Sequence, residues 1–249
     1  MTPPGQDPRR EELARSLTVQ RDRIITACKA AGRDPATVTL VVVTKTYPVS
    51  DVLHLAALGA ADIGENRDQE AAAKAAAVQA AGVPVRWHYV GQLQRNKCRS
   101  VVTYADLVHS VDGVRLAETL AEAAHRHRRR DRPLDALVQI SIDGNPTRGG
   151  AIEGAEDPDR EVRAVVEAIA AHDVLRLRGV MAVAPTRWPA VAAFERLRAV
   201  AGWIRDDFPG ATLVSAGMSA DLEEAVSAGA THVRVGSAIL GNRLPPAVT

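Results

Sequence analysis

Apolar and polar positions along this chain alternate on two scales. Short β-branched apolar runs recur, and each gives way to an alanine-rich stretch whose apolar residues return every three or four positions. The short runs predict strands over residues 39–44, 61–64, 85–91, 107–111, 136–141, 177–183, 212–215 and 232–236. The longer stretches predict helices over residues 51–58, 68–79, 113–124, 161–171, 190–206 and 220–228. A further helix over residues 10–31 precedes the first strand, with Leu13, Leu17, Ile24, Ile25 and Cys28 on one stripe and Gly32 as its stop. Residues 1–9 are polar and proline-rich and are expected to form a frayed tail.

Several runs, Leu40-Val41-Val42-Val43 among them, are apolar on both alternating faces, as parallel strands covered on both sides require. Eight β–α units in 249 residues predict an α/β fold, a single (β/α)8 barrel of the TIM type with an extra N-terminal helix, spanning residues 10–249 as one domain. A doubly wound open sheet is the alternative that periodicity leaves open.

Composition narrows the picture. Aromatic residues make up only 3% of the chain, so the core has to be built from small aliphatic side chains. The net charge of +1 gives no reason to expect a nucleic-acid partner or a membrane surface. The two cysteines, Cys28 and Cys98, form no metal-binding or disulfide pattern, which fits a reducing cytoplasm. The N-terminal residues lack the apolar segment of a signal peptide, and no apolar run reaches the length of a membrane span. The basic run at residues 125–130 precedes Pro133 and reads as a solvated helix end rather than a phosphate patch. No exposed apolar stripe stands out, so a monomer is expected.

Chemistry-bearing residues gather just after the strand runs: Lys45, Glu65 and Asn66, Gln92 and Gln94, Asp112, the Gly217-Met218-Ser219 turn, and Gly236-Ser237. In a barrel all of these fall at the C-terminal face, where active sites are built. A lysine at that rim can be held as the free amine by low-dielectric walls and attack an aldehyde. Local sequence alone favours a lysine that extends its head to water. The glycine turns after the last two strands expose backbone N–H groups that suit a phosphate, or else they only cap and turn the chain. Ser219 is a plausible N-cap of the helix that follows. Arg234, inward on an alternating strand, needs a partner: a pyridine nitrogen, or a salt bridge to Glu65 or Asp112. His88 is either an acid/base group or a satisfied core histidine. No spacing suggests a metal site.

At this point the motifs resemble those of the pyridoxal phosphate homeostasis proteins. Thr44-Lys45-Thr46 is similar to their pyridoxal-lysine motif, and Gly64-Glu65-Asn66 with Gln69-Glu70 to their G-E-N-x-x-Q-E. The block from Trp87 to Lys97 resembles W-H-[FY]-[IV]-G-x-L-Q-x-N-K throughout. His109-Ser110-Val111-Asp112, Gly217-Met218-Ser219-Ala220-Asp221 and the segment from Val233 to Gly241 fit as well, so the likeness runs in order from about Leu40 to Arg243. The resemblance implies an alanine-racemase-like barrel that carries pyridoxal 5′-phosphate covalently, as a Schiff base on Lys45. It further implies Arg234 facing the pyridine nitrogen, Ser219, Gly236 and Ser237 on the phosphate, Met218 beside it, and Asn66 near the ring. The implied role is carriage and regulation of the cofactor, with PLP-dependent apo-enzymes as possible recipients and no established turnover.

Three departures stand out: Arg67 where the family often has tyrosine, Ala216 in the S-M-G-M-S segment, and the replaced polar residues between Ser141 and Arg148. Two other functions are compatible with parts of this pattern. A racemase-like enzyme needs a second acid/base group. Alanine racemases bring a tyrosine from an extra C-terminal domain, whereas this sequence ends at Thr249 and offers only Tyr47 or His88. A sugar-phosphate enzyme with a Lys45 Schiff base is permitted by residue types alone.

Overall fold

Val41, Val42 and Val43 are buried on both faces of the first strand, which is the burial expected of a parallel strand sealed between a barrel lumen and a helical layer. The computed structural model describes residues 7–129 and 131–241. Eight parallel strands follow one another round a closed ring, β1 (Thr39–Val43), β2 (Asp62–Glu65), β3 (Arg86–Tyr89), β4 (Leu107–Val111), β5 (Leu134–Gln139), β6 (Leu175–Met181), β7 (Leu213–Ser215) and β8 (His232–Val235). Closure is made where β1 pairs with β8, Val41 opposite Arg234 and Val42 opposite Val235. The open-sheet alternative therefore falls, and the expected barrel stands.

Each strand feeds a helix: α2 (Val49–Ala57), α3 (Asp68–Ala80), α4 (Cys98–Tyr104), α5 (Val114–His127), α6 (Val162–Ala170), α7 (Ala190–Asp207), α8 (Leu222–Ser227) and α9 (Ser237–Leu240). The N-terminal helix α1 (Pro8–Ala30) packs against α2, α8 and α9. It thus covers the outside of the closing seam, where the four-residue α9 is too short to do so.

The sequence pattern differs from the structure in several places. Helix α1 begins at Pro8 rather than residue 10, because the Asp7 side chain caps it by accepting from the Arg9 N–H at 2.9 Å. Residues 1–6 of the expected tail, and residues 242–249, lie outside the described residues. Ile25 is 37% exposed, since the buried stripe of α1 runs Leu13, Leu17, Gln20, Ile24, Ala27 and Cys28. Asp221, not Ser219, is the N-cap residue of α8. Of the basic run, Arg128 forms the C-cap of α5 and donates to the Val102 and Ala105 carbonyls, while Arg130 is outside the described residues. Among the described residues no helix is long and apolar enough to cross a membrane.

The barrel lumen holds two chemically different groups of side chains. Leu107, Leu137 and Met181, with Leu213, form an apolar cluster separate from the main core. The buried polar residues His88, His109, His232, Ser215 and Arg234 form the other, with His109 two residues after Leu107 on β4 and Ser215 two after Leu213 on β7. The alternation explains the split: Trp87 and Tyr89 on β3, and Val233 and Val235 on β8, face the helical layer, so His88, His232 and Arg234 face inward.

Candidate functional site

A cavity of about 770 Å³ opens at the C-terminal ends of the strands. Lys45, Asn66, Met218, Ser219, Arg234, Gly236 and Ser237 all line it. They come from four separate strand ends, so only ring closure brings them together. Tyr47, Val43, Val90, Gly91, Val183 and Ala220 complete the lining and supply its apolar walls. Met218 is 40% exposed at the mouth.

Lys45 stands on a turn with unusual support. The following residue, Thr46, takes φ 70°, a left-handed conformation that a β-branched residue rarely adopts. Its N–H donates to Glu70 Oε1 at 2.5 Å, which offsets the strain. Beneath the turn lies Lys74, buried on the barrel-facing side of α3. Its ammonium donates to the Thr44 carbonyl, Glu65 Oε1 and Glu70 Oε1, each at 2.7 Å, using all three of its protons. The Thr44 hydroxyl adds a 2.6 Å bond to the same Glu65 oxygen. Burial pushes the Glu65 carboxyl up, against the pull of Lys74 and Thr44. The backbone on both sides of Lys45 is thus anchored to one buried ion-pair cluster. Tyr47 closes the turn by donating to the Gly241 carbonyl at 2.6 Å.

Arg234, on the neighbouring strand β8, forms another wall, and its environment is different. Its guanidinium donates to Ser215 Oγ at 2.5 Å and to the Ala182 carbonyl at 2.8 Å, both neutral oxygens. The salt bridge to Glu65 or Asp112 that the sequence allowed is not made. Glu65 is held by Lys74, and Asp112 accepts from the Gly150 N–H at 3.2 Å. Burial lowers Arg234 to about 10, with Asp221 pulling the other way. At that value it remains a cation at neutral pH, with its charge unneutralised beside the cavity.

Two turns shape the rest of the lining. Gly217 takes φ 87°, and a Cβ there would come within 2.5 Å of Ala225 Cβ, so the Gly217-Met218-Ser219 turn can pass against α8 only with glycine. The Met218 N–H is already taken by Asp221 Oδ1 at 2.6 Å. Gly91 lets β3 pass against the Asn66 carbonyl, where any side chain would collide. Asn66 keeps a buried Oδ1 without a partner among the described residues. Gly236 is the N-cap residue of α9, whose first N–H groups have no partner within the helix.

Other polar residues named from the sequence go elsewhere. Gln92, Gln94 and Asp112 line a second, polar cleft of about 480 Å³, together with Arg148 from the segment that departs from the family pattern. Arg148 is paired there with Asp143 at 3.1 Å. Arg67 is exposed at the start of α3 and does not line the cavity. His88 is buried in the lumen, bonded to Asp62 and His109, and is not part of the cavity lining.

The Lys74 cluster escaped the sequence reading. A signal was present: a lysine on the buried side of α3, among Ala71, Ala75 and Val78 and four residues after Glu70.

Comparison with known proteins adds the following. Residues 22–244 match the family model for the alanine racemase N-terminal domain. The chain is 40% identical over 251 residues to a pyridoxal phosphate homeostasis protein of Mycobacterium bovis, covering 94% of both chains. It is 35% identical to one from Escherichia coli, over 93% of this chain and 97% of the relative. Among solved structures it is similar to PipY from Synechococcus elongatus with PLP bound, at a TM-score of 0.76 and 32% identity, covering 92% of this chain and all of that one.

Proposed function

The chain belongs to the family of pyridoxal phosphate homeostasis proteins, built on the alanine racemase N-terminal barrel, and from that premise we propose that it binds pyridoxal 5′-phosphate in the 770 Å³ cavity, as a Schiff base on Lys45, and acts as an intracellular carrier and regulator of the cofactor. The observation that carries this reading is the meeting of a primary amine, a buried unpaired cation and two serine-bearing glycine turns on one cavity. When bound, the cofactor supplies an aldehyde carbon that an amine captures reversibly.

The chain's own residues divide the remaining work. Lys45 provides the amine, on a turn whose backbone is fixed from below. Ser219, Gly236 and Ser237 offer hydroxyl and N–H donors to a phosphate. Arg234 offers N–H donors to the pyridine nitrogen and keeps a proton from settling there. Val43, Val90 and Val183 flank the ring with apolar surface, and Asn66 and Met218 lie alongside.

Two observations support carriage over racemisation. The Tyr47 hydroxyl proton is engaged by the Gly241 carbonyl, and His88 is sealed in the lumen away from the cavity. A cation held against the ring nitrogen also weakens the ring as an electron sink. The exposed Met218 at the mouth leaves the site open to an apo-enzyme or a free amine. We extend the proposal to residues 10–249 acting as one monomeric unit in the cytoplasm.

The test is the visible spectrum of the purified protein before and after borohydride, followed by peptide mass spectrometry. A pyridoxyl adduct on Lys45, absent from Lys45→Ala, is expected. A colourless chain that stays unmodified after incubation with pyridoxal phosphate would overturn the reading and favour the sugar-phosphate alternative. Exchange of an amino acid's α-proton with deuterated water at enzymatic rates would favour the racemase.

A further inference from the structure

The side chain behind Arg234 is the first of an unbroken polar series that crosses the lumen to the far end of the barrel. Ser215 Oγ lies 2.9 Å from His109 Nδ1, His109 Nε2 lies 2.9 Å from His88 Nδ1, and His88 Nε2 lies 2.9 Å from Asp62 Oδ1. Four strands contribute, β7, β4, β3 and the start of β2, and the series ends where Asp62 reaches partial solvent exposure. We propose that Asp62, His88, His109 and Ser215 are positioning residues for Arg234, a one-way hydrogen-bond relay that fixes its guanidinium as a donor facing the cavity. The role at a pyridine nitrogen rests on the function proposed above; the relay itself does not.

The direction follows from what each atom can do. An arginine only donates, so Ser215 Oγ accepts from it. At the other end an ionised carboxylate only accepts, so His88 carries its proton on Nε2. A neutral His88 then has a bare Nδ1, which requires a proton on His109 Nε2. His109 Nδ1 is therefore bare and takes the hydroxyl proton of Ser215. The reverse order would set the bare Nε2 of His88 against the Asp62 carboxylate. Both rings are held neutral by burial, which pushes His88 down and His109 well down. Asp62 stays below the usual carboxylate range: burial is the largest single influence and raises it, but the His88 bond and the attraction of His88, Arg86 and His232 together outweigh that.

His232, whose ring centroid is 5.9 Å from that of His88, stands beside the relay and is tied to Thr231. Arg86 faces the same region, from a pairing with Asp135 at 3.1 Å.

A polar line through a lumen that also holds Leu107, Leu137, Met181 and Leu213 is costly unless its members are satisfied, and each ring nitrogen of His88 and His109 and the Ser215 hydroxyl has a partner. Its effect is to supply Arg234 with a polarised acceptor that ends on a carboxylate, while the guanidinium's direct partners stay neutral. A direct salt bridge would hold the arginine equally well but would spend its charge.

The experiment uses the full chain in two steps. First, two-bond nitrogen–proton NMR of labelled histidines in the cofactor-free protein reports the tautomers. Neutral rings with the proton on Nε2 in both His88 and His109 are expected at about pH 7. A proton on Nδ1 of either, or a charged ring, overturns the relay whatever the cofactor does. Second, bound pyridoxal phosphate is followed by its visible band and Kd in Asp62→Ala, Ser215→Ala and Ser215→Thr. Both alanine variants are expected to shift the band and weaken binding by roughly 2- to 10-fold, with Ser215→Thr close to wild type. An unchanged band and Kd in the two alanine variants overturns the bearing on Arg234. Failure of the wild type to bind pyridoxal phosphate is a separate result, visible before any variant is made, and it overturns the cofactor reading.

Discussion

Lys74 and Arg234 are both buried cations at the cavity end of the same barrel, and they are treated in opposite ways. Lys74 spends all three protons on one carbonyl and two carboxylates, so its charge is fully engaged within the cluster under Lys45. Arg234 spends its protons on a hydroxyl and a carbonyl, so its charge remains available. The first arrangement suits a foundation, and the second suits a wall that has to meet a ligand. A buried ion pair is weak evidence of net stabilisation, but breaking one is costly because an uncompensated charge is left behind. A buried cation with neutral partners carries that cost already in the native state and recovers it only when a ligand arrives.

The sharpest way to break this contrast is Lys74→Met. It leaves Glu65 without its partner, and a loss of about 3–5 kcal/mol is expected in denaturant unfolding. Adding Glu65→Gln to that variant should restore a large part of the loss. Arg234→Met should cost the apo protein less than Lys74→Met but weaken pyridoxal phosphate binding by roughly 10- to 100-fold. Equal unfolding costs for the two single variants would remove the distinction.

Acid separates the same two regions by sign. His88, His109 and His232 are all held down by burial, His232 to about 3 from the ordinary 6.5. Their unfolded counterparts take up protons first. The contribution of His232 is therefore full above pH 6.5 and is lost as pH falls through the window towards 3. The slope is at most about 1.4 kcal/mol per pH unit for each histidine. Glu65 works the other way: its folded carboxyl is raised, so its contribution is full below the unfolded value of 4.5 and is lost as pH rises through the folded one. Urea midpoints measured across this range should fall with acid, less steeply in His232→Gln. A wild-type profile that is flat below pH 6.5 would contradict the buried neutral histidines.

The smallest effect concerns the two turns. Gly217 meets its left-handed conformation at no steric cost, whereas Thr46 does not. Thr46→Gly is expected to stabilise the chain by about 0.5–1 kcal/mol, readable as a small rise in Tm. A destabilised variant would mean that the Thr46 side chain contributes something its backbone conformation does not show.

Much of this fold could be read from periodicity. Residues 107–111 coincide with β4, and the other strands fall within two residues of their predicted ends, because buried parallel strands are written as apolar runs. Helix α4 was missed, since seven residues with Cys98, Val101 and Val102 as their buried positions form too short a pattern to stand out. Lys45, Arg234 and the glycine turns were visible because each breaks an apolar run at its end. Their supports were not. Ser215 and His109 are 106 residues apart on strands that do not pair, so only the closed barrel shows that they touch, and His88 and Asp62, 26 apart, meet only through the register of β2 with β3. Ser215 read from sequence is an unremarkable end to a strand.

Closure of the ring has one more consequence. With β1 paired to both β2 and β8, every strand has a neighbour on each side, and none presents a row of bare amides to another molecule. Edge-to-edge aggregation would first require the ring to open. The three-residue β7 is the shortest stave, and it pairs with β8 where Ser215 stands opposite His232. A ligand that pulls on Arg234 would therefore also tighten the barrel where it is most easily sprung, and loss of ligand would be the moment at which the chain is most exposed to aggregation and to proteases.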